Sequence, residues 1–338
     1  MKTLVPLSAV LGLAAVAFLG GEVGGLRLLF GIVIPYIAFG LFVVGFVYRL
    51  LNWAKSPVPY HIPTTCGQQK SLPWIKASNL ESPYNSWGVA GRLAMEVLLF
   101  RSLFRNTSLQ IQGKRLLYRD HKILWLAAIA FHWSLLVVLI RHSRFFAQPV
   151  PYPVTLIQSL DGFFQLGEPV VYITTVTFLL GLAYLLFRRL AIPQIRYISL
   201  PSDYLPLFLI LGIGLTGALM RHFFRTDVEA VKELAMGLVA LRPVVPDTVS
   251  PLFFVHLFLV SSLLAYFPLS KLMHMGGILL SPTRNLANNS RMRRHVNPWN
   301  YPVPVHSYEE WQEEFKDKLE AAGIPLDPEP AKKPEIVA

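Results

Sequence analysis

Residues 122–142 read KILWLAAIAFHWSLLVVLIRH, an apolar run interrupted near its middle by His132 and Ser134. As a helix, a run of this length crosses the roughly 30 Å hydrocarbon core of a bilayer. An ionisable side chain at that depth is costly to bury, so His132 marks a functional position by default. Five more apolar runs are long enough to span, at roughly 3–19, 28–51, 169–187, 204–221 and 250–269. The first is short and preceded by a single Lys, like a signal peptide, but is read as a retained helix. The expected fold is therefore an all-α integral membrane protein with about six transmembrane helices. Composition agrees. Of 338 residues, 53% are hydrophobic and 15% charged, against about 25% charged in soluble domains. This excludes a soluble enzyme, a nucleic-acid binder and a disordered chain. The lone Cys66 rules out a disulfide framework or a multi-cysteine metal site within the chain.

The net charge of +11 is read through the rule that Lys and Arg collect in cytoplasmic loops. Lys55, Lys70, Lys76, Arg92, Arg101, Arg105, Lys114, Arg115 and Arg119 lie in the long 52–121 connection, and Arg188, Arg189 and Arg196 in the 188–203 loop. The 141–168 and 222–249 connections are poorer in base and carry Asp161, Glu168, Asp227, Glu229, Glu233 and Asp247. Both termini are thus expected in the cytoplasm of a multi-pass inner-membrane protein. The chain divides into two N-terminal helices (1–51), a cytoplasmic loop with an amphipathic stretch at about 86–105 (52–121), a four-helix transmembrane bundle (122–280) and a cytoplasmic tail (281–338). In the tail, Ser307-Tyr308-Glu309-Glu310 has the capping-box pattern and opens a charged helix to about 321. The last dozen residues, rich in Pro and Lys, read as disordered.

Four of nine histidines fall at or near the ends and interior of two antiparallel spans. His132 and His142 are on the third, His256 is on the sixth, and His274 lies just past its inner end. His142 and His256 come to the outer side, His132 and His274 to the inner side. Two b haems, each taking one imidazole from each helix, fit that layout. With both axial positions filled, such haems move electrons rather than activate oxygen. Helical angles leave the pairing open. Eighteen residues return His274 to the face of His256, ten leave His132 and His142 about 80° apart, and eleven put His121 and His132 almost on one face. Spacing alone slightly prefers His121–His274 and His132–His256, although His121 sits in a solvent-like border, Tyr118-Arg119-Asp120-His121-Lys122. Zinc or di-iron sites need ligands converging at shorter spacings, with carboxylates, and neither histidine-bearing span has one.

Phe131-His132, His142 ten residues on, and His256 with His274 eighteen apart together resemble the dihaem cytochrome b subunit of respiratory nitrate reductase. Further stretches are similar to one branch of that family, the DsrM cytochromes of sulfite-reduction-associated DsrMKJOP complexes. They are Ile62–Gln69 (IPTTCGQQ), Phe100–Asn106 (FRSLFRN), Phe131–Trp133, Arg141–Phe146 (RHSRFF), Pro282–Asn289 (PTRNLANN) and Asn297–Pro302 (NPWNYP). The resemblance implies His132, His142, His256 and His274 as the ligands of two b haems. It also implies menaquinol oxidation near the outer haem, with electrons passing inward to a cytoplasmic, heterodisulfide-reductase-like iron–sulfur subunit (DsrK-like) among the other subunits of such a complex.

Anionic propionates of such haems call for cationic partners, and Arg141, Arg144 and Arg221 stand at the outer border; Lys271 and Arg284 are inner candidates. A quinol site needs an apolar slot and a proton acceptor. His142, Phe145 and Phe146 offer the slot, and Asp161, Glu168 and His222 are candidate acceptors. Each of these polar residues also has an ordinary reading, as a snorkelling or solvated border side chain. Trp53, Trp125, Tyr152, Tyr184 and Tyr204 read as an interfacial aromatic belt. Gly212, Gly214 and Gly217 read as sites of close helix approach. A haem-free membrane anchor for soluble redox subunits is the competing class, and it leaves the intramembrane histidines unexplained.

Overall fold

The structure, a computed structural model, describes residues 2–58, 67–162, 169–292 and 304–326. Cys66, Glu168, His61, His295, the Asn297–Pro302 run and the Pro- and Lys-rich C-terminus lie outside these residues. Met1–Arg293 form one compact unit and Arg294–Ala338 a second.

Six helices are long and apolar enough to cross a membrane, and the protein is a multi-pass membrane protein. The first is α1 (Leu4–Glu22). The second is α2 (Ile34–Ala54), entered through a π turn at Leu29–Val33. A surface segment follows, with α3 (Ser86–Leu99), α4 (Arg101–Arg105) and an antiparallel hairpin of β1 (Thr107–Gln112) and β2 (Arg115–Asp120). Hydrophobic periodicity had not separated this hairpin from its surroundings. Thr107 pairs with Asp120 and Gln112 with Arg115, and Gly113 at φ +63° supplies the left-handed residue of the tight turn. Then come α5 (Lys122–His142), α6 (Tyr152–Asp161), α7 (Ile173–Ala191), α8 (Pro193–Ile198), α9 (Pro201–His222), α10 (Val228–Val239) and α11 (Pro251–Tyr266). Two short turns, α12 (His274–Gly277) and α13 (Pro282–Asn285), complete the first unit. In the second unit, Ser307 and Glu310 form the expected capping box. The helix it opens is divided at Phe315 into α14 (Tyr308–Glu314) and α15 (Lys316–Ala321).

Only 17–28% of each spanning window is buried inside the protein. The remaining apolar surface has no protein to pack on, as expected where the solvent is lipid. Two clusters hold the bundle. Val10, Ala17, Phe30, Leu209, Phe254, Val255 and Leu259 join α1, α9 and α11; Phe131, Phe178, Leu182 and Ile210 join α5, α7 and α9. Helix α9 therefore serves both clusters, with Leu209 in one and Ile210 in the other.

Small residues set the closest approaches. A Cβ on Gly181 would lie 3.1 Å from the Ala127 carbonyl oxygen and 3.1 Å from the Phe131 nitrogen, so α7 rests on the backbone of α5. A Cβ on Gly214 would lie 2.6 Å from the Phe178 ring. Tyr204 belongs to no lipid-facing belt: it is fully buried, below the Arg189 guanidinium.

The break after α11 changes one expectation. His256 and His274 do not share one continuous helix. Pro268 lacks an N–H and Ser270 is extended, with its hydroxyl accepting from the Leu272 N–H. His274 therefore begins a new turn, and the eighteen-residue angular argument does not describe its orientation.

On the opposite side from the basic loops, Asp227 caps α10, accepting from the backbone N–H groups of Ala230 and Glu229 and from the Thr248 hydroxyl. The Ala230 N–H and then the Thr248 hydroxyl hold its carboxyl below the usual carboxylate range. This cap is complete above the unfolded value of about 3.9 and is lost as pH falls through the lower folded value. Hydrogen exchange should therefore show the first turn of α10 protected at pH 5 and opening only in stronger acid, with Asp227→Asn retaining protection and Asp227→Ala losing it at all pH. In the bundle, Gly181→Ala should destabilise by about 1–3 kcal/mol in a thermal melt in detergent. Gly12→Ala, with nothing within 4 Å of the new Cβ, should be neutral or stabilising by up to about 1 kcal/mol.

Candidate functional site

Helix α5 runs unbroken from Lys122 to His142, so His132 and His142 are separated by about 15 Å along its axis. The structure brings each of them against one histidine from the last part of the bundle. The His142 and His256 rings have centroids 6.5 Å apart and planes 11° from parallel. The His132 and His274 rings have centroids 6.1 Å apart and planes 79° from parallel. His121 instead caps the start of α5, its carbonyl accepting from the Trp125 N–H at 2.9 Å. Of the pairings that spacing left open, the structure juxtaposes the two that match in depth.

Each of the four rings has its Nδ1 engaged. Nδ1 of His132 lies 2.7 Å from the Ala128 carbonyl oxygen, that of His142 2.7 Å from the Val138 oxygen, and that of His274 2.8 Å from the Lys271 oxygen. A carbonyl only accepts, so the Nδ1 carries the proton and Nε2 keeps its lone pair. Nδ1 of His256 is 3.0 Å from the Thr216 hydroxyl, which lies 2.8 Å from the Gly212 carbonyl oxygen. Such second contacts fix the tautomer and orientation of a metal-binding imidazole. Spacing fits as well. With metal–imidazole bonds of about 2 Å and a ring radius of about 1.1 Å, two imidazoles on opposite sides of one ion have centroids about 6.2 Å apart. No carboxylate or cysteine joins either pair: among the described residues there is no group of three or more His, Cys, Asp or Glu able to hold a metal ion. The donor set suits an iron whose remaining ligands come from a macrocycle.

The surroundings of the two pairs differ. His132 is wedged edge-on between Phe100 at 5.0 Å and Phe131 at 4.9 Å. Phe100 holds a left-handed backbone conformation, φ +49°, which costs roughly 1–2 kcal/mol in a residue with a Cβ. It is kept there from both sides. The Trp125 and Trp133 indole N–H groups donate to the Leu99 and Leu98 carbonyls, at 2.7 and 3.0 Å, satisfying the end of α3. Beyond Phe100, Arg101 and Arg105 pair with Glu81, and Arg284 bonds Ser102 at 2.8 Å and Glu96 at 2.8 Å. The Phe100–Asn106 and Pro282–Asn289 stretches are thus joined in space.

At the other pair, His142 lies 5.9 Å from the Phe145 ring, and Phe146 is about half exposed. The border arginines all have protein partners. Arg141 pairs with Asp161 at 2.5 Å and lies over the Tyr172 ring; Arg221 bonds the Val170 carbonyl and faces the same ring; Arg144 bonds Gln158 at 2.9 Å. Asp161 is buried, accepting also from the Thr174 hydroxyl and backbone N–H at 2.6 and 2.8 Å. His222 ends α9. On the basic side, Lys271 pairs with Asp203 at 2.6 Å. Sequence reasoning had missed Phe100 and Thr216. Nothing in a linear pattern distinguishes a Thr in an apolar helix, whereas Phe100 at the end of an amphipathic stretch was visible as a motif without a role.

The sequence profile of the nitrate reductase gamma subunit matches residues 86–294, from the first residue of α3 to just past α13. The chain belongs to the nitrate reductase gamma subunit family. Two relatives carry the description "Hdr-like menaquinol oxidoreductase cytochrome b-like subunit". That of Archaeoglobus fulgidus is 48% identical over 278 residues, and that of Archaeoglobus profundus 42% identical over 283. Each alignment covers 80% of this chain and 83% of the relative. The gamma-subunit match contains all four paired histidines, the Phe100 wedge and Thr216; α1 and α2 precede it.

The buried Arg141–Asp161 pair provides a stability test. Asp161→Ala leaves an uncompensated buried charge and should cost about 3–5 kcal/mol. Replacing both residues with apolar ones should recover much of that loss in a detergent melt.

Proposed function

We propose that this chain is a dihaem b cytochrome and the quinol-oxidising membrane subunit of a multisubunit oxidoreductase. The observation that carries the reading is the pair of imidazole couples at two depths, each spaced for one iron and each with its Nδ1 protons committed elsewhere. His132 with His274, and His142 with His256, would hold the two haems. Haem b bound there would supply one-electron transfer.

The quinol site falls beside His142 on the face opposite the basic loops. Phe145 and Phe146 give it an apolar wall, and His222, Asp161 or Glu168 takes up protons. Menaquinol is the proposed substrate, supported by the description of the two archaeal relatives. The positive-inside rule makes the basic face cytoplasmic, with both termini there. Electrons are then delivered at that face, beside α3 and His274, to a heterodisulfide-reductase-like iron–sulfur partner. The motifs shared with the DsrM branch support a DsrK-like partner within a DsrMKJOP-like complex of dissimilatory sulfur metabolism. Oxidation outside with delivery inside would build membrane potential. In this reading Arg141, Arg144 and Arg221 remain the propionate-side cations of the outer group.

The test is haem content and an optical redox spectrum of the purified chain beside His132→Ala and His142→Ala. About two b haems in the wild type, one lost in each variant, and reduction by a menaquinol analogue are expected. A folded wild-type protein without haem would favour the membrane-anchor reading.

A further inference from the structure

His132 and His142 both turn Nδ1 onto the carbonyl four residues earlier in their own helix, and His274 onto the one three residues earlier. That is the local default for a helical histidine, because the carbonyl lies within reach and has a spare lone pair. His256 departs from it. The equivalent carbonyl belongs to Leu252, but the Nδ1 contact runs across to α9, to the Thr216 hydroxyl at 3.0 Å, with the Ile213 carbonyl beside it also accepting from the ring. Thr216 is itself buried, and its hydroxyl proton is directed to the Gly212 carbonyl at 2.8 Å, with that of Ile213 at 3.1 Å. Its oxygen is therefore the acceptor for the imidazole N–H. The next residue, Gly217, presents no side chain, and a Cβ there would come 3.4 Å from His256 Cε1. Among the four paired histidines, His256 alone has its ring plane set by a side chain on a neighbouring helix.

From this we infer that Thr216 is a positioning residue that turns the His256 ring parallel to His142, and so makes the two haem sites electronically unlike. The inference rests on the reading of the four histidines as haem ligands. The two couples differ in one respect that iron senses directly: 11° between the planes of one pair and 79° in the other. In low-spin ferric haem, parallel imidazoles split the two iron d orbitals of π symmetry and give a rhombic paramagnetic signal. Crossed imidazoles leave those orbitals nearly degenerate and give a highly anisotropic one. A hydrogen bond accepted from Nδ1 also raises imidazole basicity, which favours the ferric state and lowers the reduction potential.

The experiment is electron paramagnetic resonance of the oxidised, haem-loaded full chain, with pyridine haemochrome quantitation on the same samples. The wild type should show one rhombic and one highly anisotropic low-spin signal, and His132→Ala should retain only the rhombic one. In Thr216→Val the hydroxyl acceptor is gone, and the ring should turn out of the plane parallel to His142. The rhombic signal would then be replaced by a second anisotropic one. Thr216→Ser should keep both wild-type signals. Two wild-type signals of the same class would overturn the inference, even if Thr216→Val failed to load haem. So would an unchanged rhombic signal in haem-replete Thr216→Val. A folded wild-type chain without haem would instead overturn the reading of the site, and this inference with it.

Discussion

A neutral imidazole inside an apolar bundle has one proton to give and one lone pair to offer, and lipid satisfies neither. The arrangement of this bundle follows from how the proton is spent. At His132, His142 and His274 it goes to the backbone of the same segment, so the ring direction follows from the helix itself. At His256 it crosses to α9. The lone pairs are left on the Nε2 atoms of rings brought together in two couples. The surrounding helices serve this arrangement. Helix α9 is shared between two apolar clusters, and the bare Gly181 lets α7 rest on the α5 backbone. The histidine-bearing segments are thus held by their neighbours.

Charged groups are treated in the same way. Arg141 is offset by Asp161, Lys271 by Asp203, and Arg284 by Glu96. The buried Arg141–Asp161 pair contributes little net stability over an apolar pair of equal volume but penalises any arrangement that separates its members, whereas solvent weakens the pair of the exposed Lys271. These pairs connect segments distant in sequence, so they act as register marks between α5 and α6, between α9 and the turn after α11, and between α3 and α13.

Most of the architecture was legible in the sequence because span length and apolarity are properties of a linear string. The six runs, the amphipathic stretch at 86–105 and the Ser307–Glu310 capping box could each be read directly. The histidines were visible because an ionisable residue in an apolar run is conspicuous. Their pairing was not fixed by angle counting, since that assumes a continuous helix, and Pro268 with the extended Ser270 interrupts it before His274. The Thr216 contact, the left-handed Phe100 and the buried Tyr204 depend on which helices become neighbours. The β1–β2 hairpin hides between two stronger helical signals, and its decisive residue is a single glycine.

The seating of Phe100 has a mechanical consequence. Helix α3 lies on the basic side, where it is fastened to α5 by two indoles and to α13 by Arg284. Phe100, the residue that caps its end, is braced in a costly backbone state against the His132 ring. A displacement of α3 along the surface cannot be absorbed at that junction without releasing Phe100 or tilting the imidazole. The surface helix is therefore the short arm of a lever whose other end rests inside the bundle, and whatever grips it from the aqueous side has a hold on His132.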